Sequence, residues 1–440
     1  MTGEGDDLRK LLHQAELALA GFAPRTATAA ELFIHGDASL TLDYDPTTGA
    51  TREAIGRATR ATARVWRDGG CGLAGGIAKN RADMRRLLET AGERARSSSP
   101  YPVPQQMSDM LPAAEPAGEL SGTRARLRAS AIVDVLRHRG VPIQVLQLKQ
   151  FSSFSIIINS NGLRVAYWVP SEQALARCNT QGGVVVDAVS EPCLNGPWHT
   201  KAMVDRLSEA VTTMAMAVGE VDTALPTVLR PVVASSLVAG LGWMLRADTV
   251  QQTPGLERAI GKKLFPSAVD LRDDPVHPDG MHYRTVDDEG QPAFPVQLVE
   301  QGRVVSFLHS LGSANHFHTK PNGRALRFRA ADPPSPWTLN LHLLSGNSEM
   351  PIAYNEFCVR MENAVQMSQP GITTLTVAGW KVERSERVHR IGPINLDLPI
   401  MSTFREVTSV SDDLAFLPIA NGCGSPTIIL NSLLRGRHVR

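Results

Sequence analysis

Leu271-Arg272-Asp273-Asp274-Pro275, Val286-Asp287-Asp288-Glu289-Gly290, Leu298-Val299-Glu300-Gln301-Gly302 and Lys320-Pro321-Asn322-Gly323-Arg324 punctuate the stretch between Gly255 and Gly346. Each carries a proline or glycine beside acids, amides or asparagine. Those residue types make tight turns: glycine accepts a positive φ, proline pre-sets one torsion, and short polar side chains bond nearby amides. The apolar runs around them, 293–300, 304–310 and 337–344, are too short for helices and are bounded by turn residues, so they read as strands. A succession of short strands and acidic turns makes this half of the chain strand-rich.

Working outward, 356–361 and 373–382 read as further strands, 398–412 as a helix and 426–430 as a final strand. Upstream, Pro231 suits the first turn of an apolar helix, where its missing N–H costs nothing. The first half mixes periods. Leu8, Leu11, Leu12, Ala15 and Leu19 share one face of a helix over 7–20, and 30–43 alternates as extended structure. Ala54, Ile55, Ala58, Thr62 and Val65 recur at helical spacing and predict a second helix over 51–66, followed by a glycine-rich turn at 69–76. Helices are expected at 82–96, 124–139 and 199–218, with a strand at 141–149. The runs 154–158 and 163–169 flank Asn161-Gly162, the favoured pair for a tight hairpin turn. Prolines and serines over 97–121 predict a long loop. The class is α+β: a helix-and-sheet N-terminal domain over 1–220 and a strand-rich C-terminal domain over 221–440.

Forty-five lysines and arginines against 44 acids leave a net charge of +1, which supplies no electrostatic reason to expect nucleic acid. The five cysteines are scattered and form no Cys-x-x-Cys pair, as in a reduced compartment. The apolar run 231–245 is too short to cross a bilayer and the first residues are polar and acidic, so cytoplasm is expected.

Several residues could carry chemistry, and each has a plainer reading. Asp287, Asp288 and Glu289 could act as acid–base carboxylates if buried, or cap the amides of their own turn. Asn322 and Arg324 could form a fork for a substrate carboxylate, or another turn. His316 and His318 would share a face if 316–318 were a strand. His277 and His282 flank Pro278-Asp279-Gly280, close to many acids, but without a metal-ligand motif. Cys423 is a nucleophile only beside a base, and none is assignable; the plain reading is packing. The Gly69–Gly76 stretch lacks the Gly-Lys-Ser/Thr ending of a phosphate loop.

The order acidic-acidic-Pro, Asp-Asp-Glu-Gly, Glu-x-Gly and Asn-Gly-Arg resembles the core of the TldD/PmbA family. The resemblance extends more loosely to the Asn159–Leu163 hairpin and to Gly424-Ser425-Pro426-Thr427. It implies a zinc peptidase assembled from two related subunits, one of which carries His-Glu-x-x-x-His near the start of the helix after the interdomain region. The equivalent positions here are Arg230-Pro231-Val232-Val233-Ala234-Ser235, and none of the twelve histidines precedes a glutamate. The family's further cysteine ligand has its nearest counterpart in Cys423, which lacks histidine partners.

The resemblance therefore implies the metal-free, PmbA (TldE)-like subunit. It would bind no cofactor itself, with zinc on a TldD-like partner, and would carry no catalytic or metal residue. Asp287, Asp288, Glu289, His316, His318, Asn322 and Arg324 stand as candidates for lining a cleft that takes a peptide or modified peptide. Natural-product maturation fits the divergence at 97–121 and 366–378. The alternative is an independent hydrolase or ligand-binding homodimer using a non-standard site.

Overall fold

The computed structural model describes the chain outside residues 1–3, 23–26, 96–100, 106–119, 193–199, 370, 432 and 434–440; of 4–7 and 362–369 it describes the backbone alone. Most of the expected loop at 97–121 and the basic tail at 435–440 lie outside the described residues.

The first half folds as α1 (Glu4–Ala20), β1 (Ala27–Tyr44), β2 (Thr51–Arg67), β3 (Gly70–Ile77), α2 (Arg81–Ala95), α3 (Gly122–His138), β4 (Ile143–Asn159), β5 (Arg164–Thr180), β6 (Gly183–Glu191) and α4 (Thr200–Ala215). Its strands form one antiparallel sheet in the order β3-β2-β1-β4-β5-β6. Side chains alternate along a strand, so β1 sends Leu32, Ile34, Leu40 and Leu42 to one face. The four helices cover that face with Leu8, Met84, Leu88, Ile132, Leu136, Met203 and Leu207. Glu31, Phe33, His35 and Asp37 take the opposite face, towards the second half of the chain.

Two expectations fail here. The 51–66 segment is a strand rather than a helix: it pairs with β1 along its whole length, with Leu40 opposite Ile55 and Ile34 opposite Ala61. Its helical spacing is coincidental, because sheet neighbours on both sides outweigh a weak local preference. The glycine-rich segment is the edge strand β3, paired with β2. A Cβ on Gly72 would lie 2.0 Å from the Ala91 carbonyl oxygen, so glycine there lets α2 press onto the strand. The Asn-Gly hairpin forms as expected, with only Gly162 at positive φ. Asn159 closes the loop through its Oδ1, which accepts the amides of Asn161 and Leu163.

The second half contains β7 (Thr227–Leu229), α5 (Pro231–Met244), α6 (Ala247–Gln252), β8 (Leu271–Asp273), β9 (Val296–Glu300), β10 (Arg303–Val304), α7 (Leu311–His316), β11 (Ala325–Leu326), β12 (Ser335–Pro336), β13 (Leu341–Leu343), β14 (Ala353–Gln369), β15 (Ile372–Glu383), β16 (Glu386–Pro399), α8 (Ile400–Arg405), β17 (Val407–Val410), β18 (Ala415–Leu417), β19 (Cys423–Ser425) and β20 (Ile428–Leu430). The expected helix over 398–412 shrinks to the single turn of α8 between two strands. Two six-stranded sheets, β10-β9-β8-β13-β19-β18 and β16-β15-β14-β7-β20-β17, enclose α5. Packing on both sides explains why α5 is apolar around its circumference. Cβ atoms on Gly240 and Gly242 would collide with Ile400 and Leu341 respectively. Val359, Met361 and Ala378 join the core beneath α3 and α4, tying the two halves together.

Candidate functional site

The turn at Val286–Gly290 sits against the helix-free face of the β3-β2-β1-β4-β5-β6 sheet. Val286 is buried with Phe33, Ile157, Leu163 and Val165, which holds the turn in place, and Gly290 adopts φ +74°. All three acids of the turn are buried. Asp287 is a staple: its carboxylate accepts the amides of Glu289 and Gln291 at 2.9 Å and of Ala325 at 3.0 Å. Burial, then the charge of Glu289, pushes Asp287 up to about 8, against three amides that favour its ionised form. Asp288 accepts Tyr167 Oη, Arg284 Nη2 at 2.7 Å and the Arg327 amide at 2.6 Å. Burial opposes its charge, but the Arg284 cation and these donors hold it below the usual carboxylate range.

Glu289 joins distant segments. It accepts Arg64 Nη1 at 3.1 Å, Tyr101 Oη at 2.7 Å and the Leu311 amide at 2.8 Å. Arg64 in turn makes a bidentate pair with Glu31 on the neighbouring strand, at 2.7 and 2.9 Å. Burial works to discharge Arg64; the charges of Glu31 and Glu289 outweigh it and raise its pKa. A buried cation with two carboxylates and stacked Trp66 and Tyr101 rings is a fixed connector, strong because its charges are hydrogen-bonded.

The remaining sequence candidates separate. Arg324 is fully buried; its guanidinium pairs with Asp273 and donates to the Asn322, Gly323 and Phe294 carbonyls, so here the fork grips the protein's own carboxylate. Burial, partly offset by Arg324, raises Asp273 to about 6. Asn322 clamps the 307–309 backbone, accepting the His309 amide and donating to the Phe307 carbonyl, each at 2.8 Å. His316 and His318 do not stand on a strand. His316 ends α7, and His318 follows it at φ +52°, both exposed at a helix terminus. The capping box of Ser310 and Ser313, which no strand reading anticipates, starts that helix. Cys423 packs in the core beside α5, its thiol pushed well up by burial and then by Asp273.

Between the acidic turn and the sheet lies a cleft of about 610 Å³. Asp288 is the sequence candidate that lines it, with His35, Asp37 and Arg60 from the sheet and Arg284, Arg327 and Arg329 from the facing loops. Burial, then repulsion by Arg64, pulls Arg327 below the ordinary arginine value. Elsewhere, the first turn of α5 carries Arg230 as its N-cap residue. Arg230 Nε donates to the buried Glu356 at 2.5 Å, and Arg387 reaches the other Glu356 oxygen at 3.4 Å. The Ser235 hydroxyl donates to the Pro231 carbonyl at 2.7 Å.

Residues 222–435 match the model of the PmbA/TldA metallopeptidase C-terminal domain. That half of the chain is a PmbA/TldD-family domain. Two curated relatives, both called metalloproteases, are 24% identical over 240 residues (Synechocystis) and 26% identical over 184 residues (Methanothermobacter thermautotrophicus). The alignments take in 48% and 39% of this chain and 51% and 39% of those relatives, so the chain spans about half or less of the curated relatives it matches. Among solved structures, TldE from Thermococcus kodakarensis superposes with a TM-score of 0.80 at 16% identity, over 97% of this chain and 99% of that one. A Thermotoga maritima protein described as a candidate modulator of a DNA gyrase also gives 0.80, at 17% identity over 96% and 99%. These likenesses establish the fold.

For a PmbA/TldD-type domain, the question at α5 is whether its residues suit zinc. They do not: the first turn offers a guanidinium, a proline and a hydroxyl already bonded to the backbone, where zinc takes imidazole, thiolate or carboxylate. Among the described residues no three His, Cys, Asp or Glu side chains are grouped as metal ligands, and no helix is long and apolar enough to cross a membrane. The sequence reading missed Glu31, Arg64, Tyr101, Tyr167, Arg284 and Arg327. Only Arg284, four residues before Asp288, had a local signal; Arg64 was hidden by the helical reading of β2.

Proposed function

We propose that this chain is the noncatalytic, TldE-like subunit of a heteromeric TldD/TldE-type peptidase, with zinc held by a TldD-like partner. In this reading, 1–220 and 221–440 are its two domains, and the complex works in the cytoplasm. The first turn of α5 carries the proposal: family membership sets the chemistry of the assembly, while Arg230, Pro231 and Ser235 occupy the positions of the metal pair and its base. Arg230, ion-paired with Glu356, offers no metal ligand at that turn.

The chain's own part is to wall the chamber and select the substrate, a peptide or modified peptide, with maturation of a peptide natural product as the favoured setting. The helix-free sheet face supports this role. Beyond the acidic turn it continues as a half-buried, mostly polar surface through Ser39, Thr41, Gln147, Lys149, Ser171 and Gln173, suited to a peptide backbone. Co-expression with a TldD-like protein carrying His-Glu-x-x-x-His tests the proposal. Zinc and peptide cleavage are expected only with the partner present, and both are expected to vanish when the partner's histidines are replaced. Stoichiometric zinc and full cleavage by this chain alone would overturn it.

A further inference from the structure

The cleft beside Asp288 holds more cationic donors than its own acids use. Asp37 is engaged by His35 at 2.6 Å and Arg60 at 3.6 Å, and Asp288 by Tyr167, Arg284 and the Arg327 amide. Arg327, with a side chain only 1% exposed, donates through Nη1 to the Asp332 carbonyl at 2.8 Å. Its Nε and Nη2 have no hydrogen-bond acceptor, the nearest carboxylate to Nη2 being Glu31 at 3.6 Å. Arg284 Nε is likewise without one. Both guanidiniums lie over aromatic rings, Arg327 over Phe33 at 4.5 Å and Arg284 over Tyr167 at 4.6 Å. Stacking fixes their planes, and both side chains line the cleft. Buried N–H groups without partners are rare and call for an acceptor. With Arg60 and Arg329 at the same cleft, four arginines face two acids that are already satisfied.

We infer that this cleft is an oxyanion subsite that binds the carboxylate of a peptide, with Arg327 as its principal ligand and Arg284 beside it. A carboxylate matches a planar guanidinium edge. The volume of about 610 Å³ has room for the body of a residue as well as its charge, and Phe33, Val169 and Phe328 supply apolar wall. The choice of a peptide as the bearer of the carboxylate rests on the function proposed above; the subsite rests on the arginines.

Calorimetry on the isolated chain tests this with N-acetylated tripeptides ending in phenylalanine, as free acid and as amide, with inorganic phosphate as the competing anion. The acid is expected to bind about tenfold more tightly than the amide, and Arg327→Gln to erase that difference. Arg60→Gln and Arg329→Gln, at more open positions, are each expected to weaken the acid by about two- to threefold, which keeps the test valid if Arg327→Gln fails to fold. Equal binding of acid and amide, an acid preference that survives Arg327→Gln in a folded protein, no loss in either rim variant, or binding of phosphate alone would overturn the inference. Neither zinc nor cleavage enters the measurement, so its failure leaves the partner proposal to its own test.

Discussion

Replacing Glu289 with alanine removes the acceptor that joins three separate segments. The variant strands the Tyr101 hydroxyl, the Leu311 amide and one edge of Arg64, all at a position with no solvent exposure. Each stranded buried donor costs about 1–3 kcal/mol. Arg64 keeps its bidentate pair with Glu31, and water entering the space left by the carboxylate relieves the other two donors in part. The expected loss therefore falls near about 3–5 kcal/mol, the range for removing one partner of a buried ion pair. That is a large share of a typical domain stability of about 5–15 kcal/mol. Urea unfolding of the wild type, Glu289→Ala, Arg64→Met and the double variant gives the coupling directly. Hydrogen exchange should report faster opening of 101–105 and of the first turn of α7. A loss below about 1 kcal/mol with no coupling to Arg64 would refute the connector reasoning.

Three further perturbations follow from the same geometry. Gly72→Ala should cost about 1–3 kcal/mol or more by thermal unfolding, because the new methyl group meets the backbone of α2 at Ala91 and Ala95. Arg230→Ala leaves the buried Glu356 with only the longer Arg387 contact and should cost about 2–4 kcal/mol in urea; an unchanged midpoint would remove Arg230 from the account of α5. Burial lowers His309 to about 4, so the unfolded chain binds its proton first. The stability it contributes is full above about 6.5 and is lost as pH falls from there towards 4, at up to about 1.4 kcal/mol per pH unit. Urea midpoints between pH 7 and 4.5 should fall less steeply in His309→Gln than in the wild type, and parallel curves would contradict this.

The local signals in the sequence were strong where a residue's neighbours along the chain decide its conformation. The Asn159–Leu163 hairpin, the helix beginning at Pro231 and the positive φ of Gly290 were all legible, since turn and cap chemistry acts over a few residues. The reading failed at β2. There the apolar spacing suited a helix, and only pairing along β1 and β3 decides otherwise. It failed again at His316 and His318, where a two-residue alternation carries little information and the Ser310–Ser313 capping box starts a helix instead.

By itself the sequence determined the α+β class, the order of turns that marks the family, and the absence of a histidine–glutamate pair at the start of α5. These depend on residue identity and short spacings. The tertiary structure alone decided what the acids of the 286–290 turn face. Glu289 meets Arg64 across 225 residues of chain, and Arg327 comes to lie buried over Phe33 with two guanidinium nitrogens unmatched. Such contacts depend on which face of β1 and β2 points to the second half of the chain. Reading a strand as a helix loses that face, and with it the cleft.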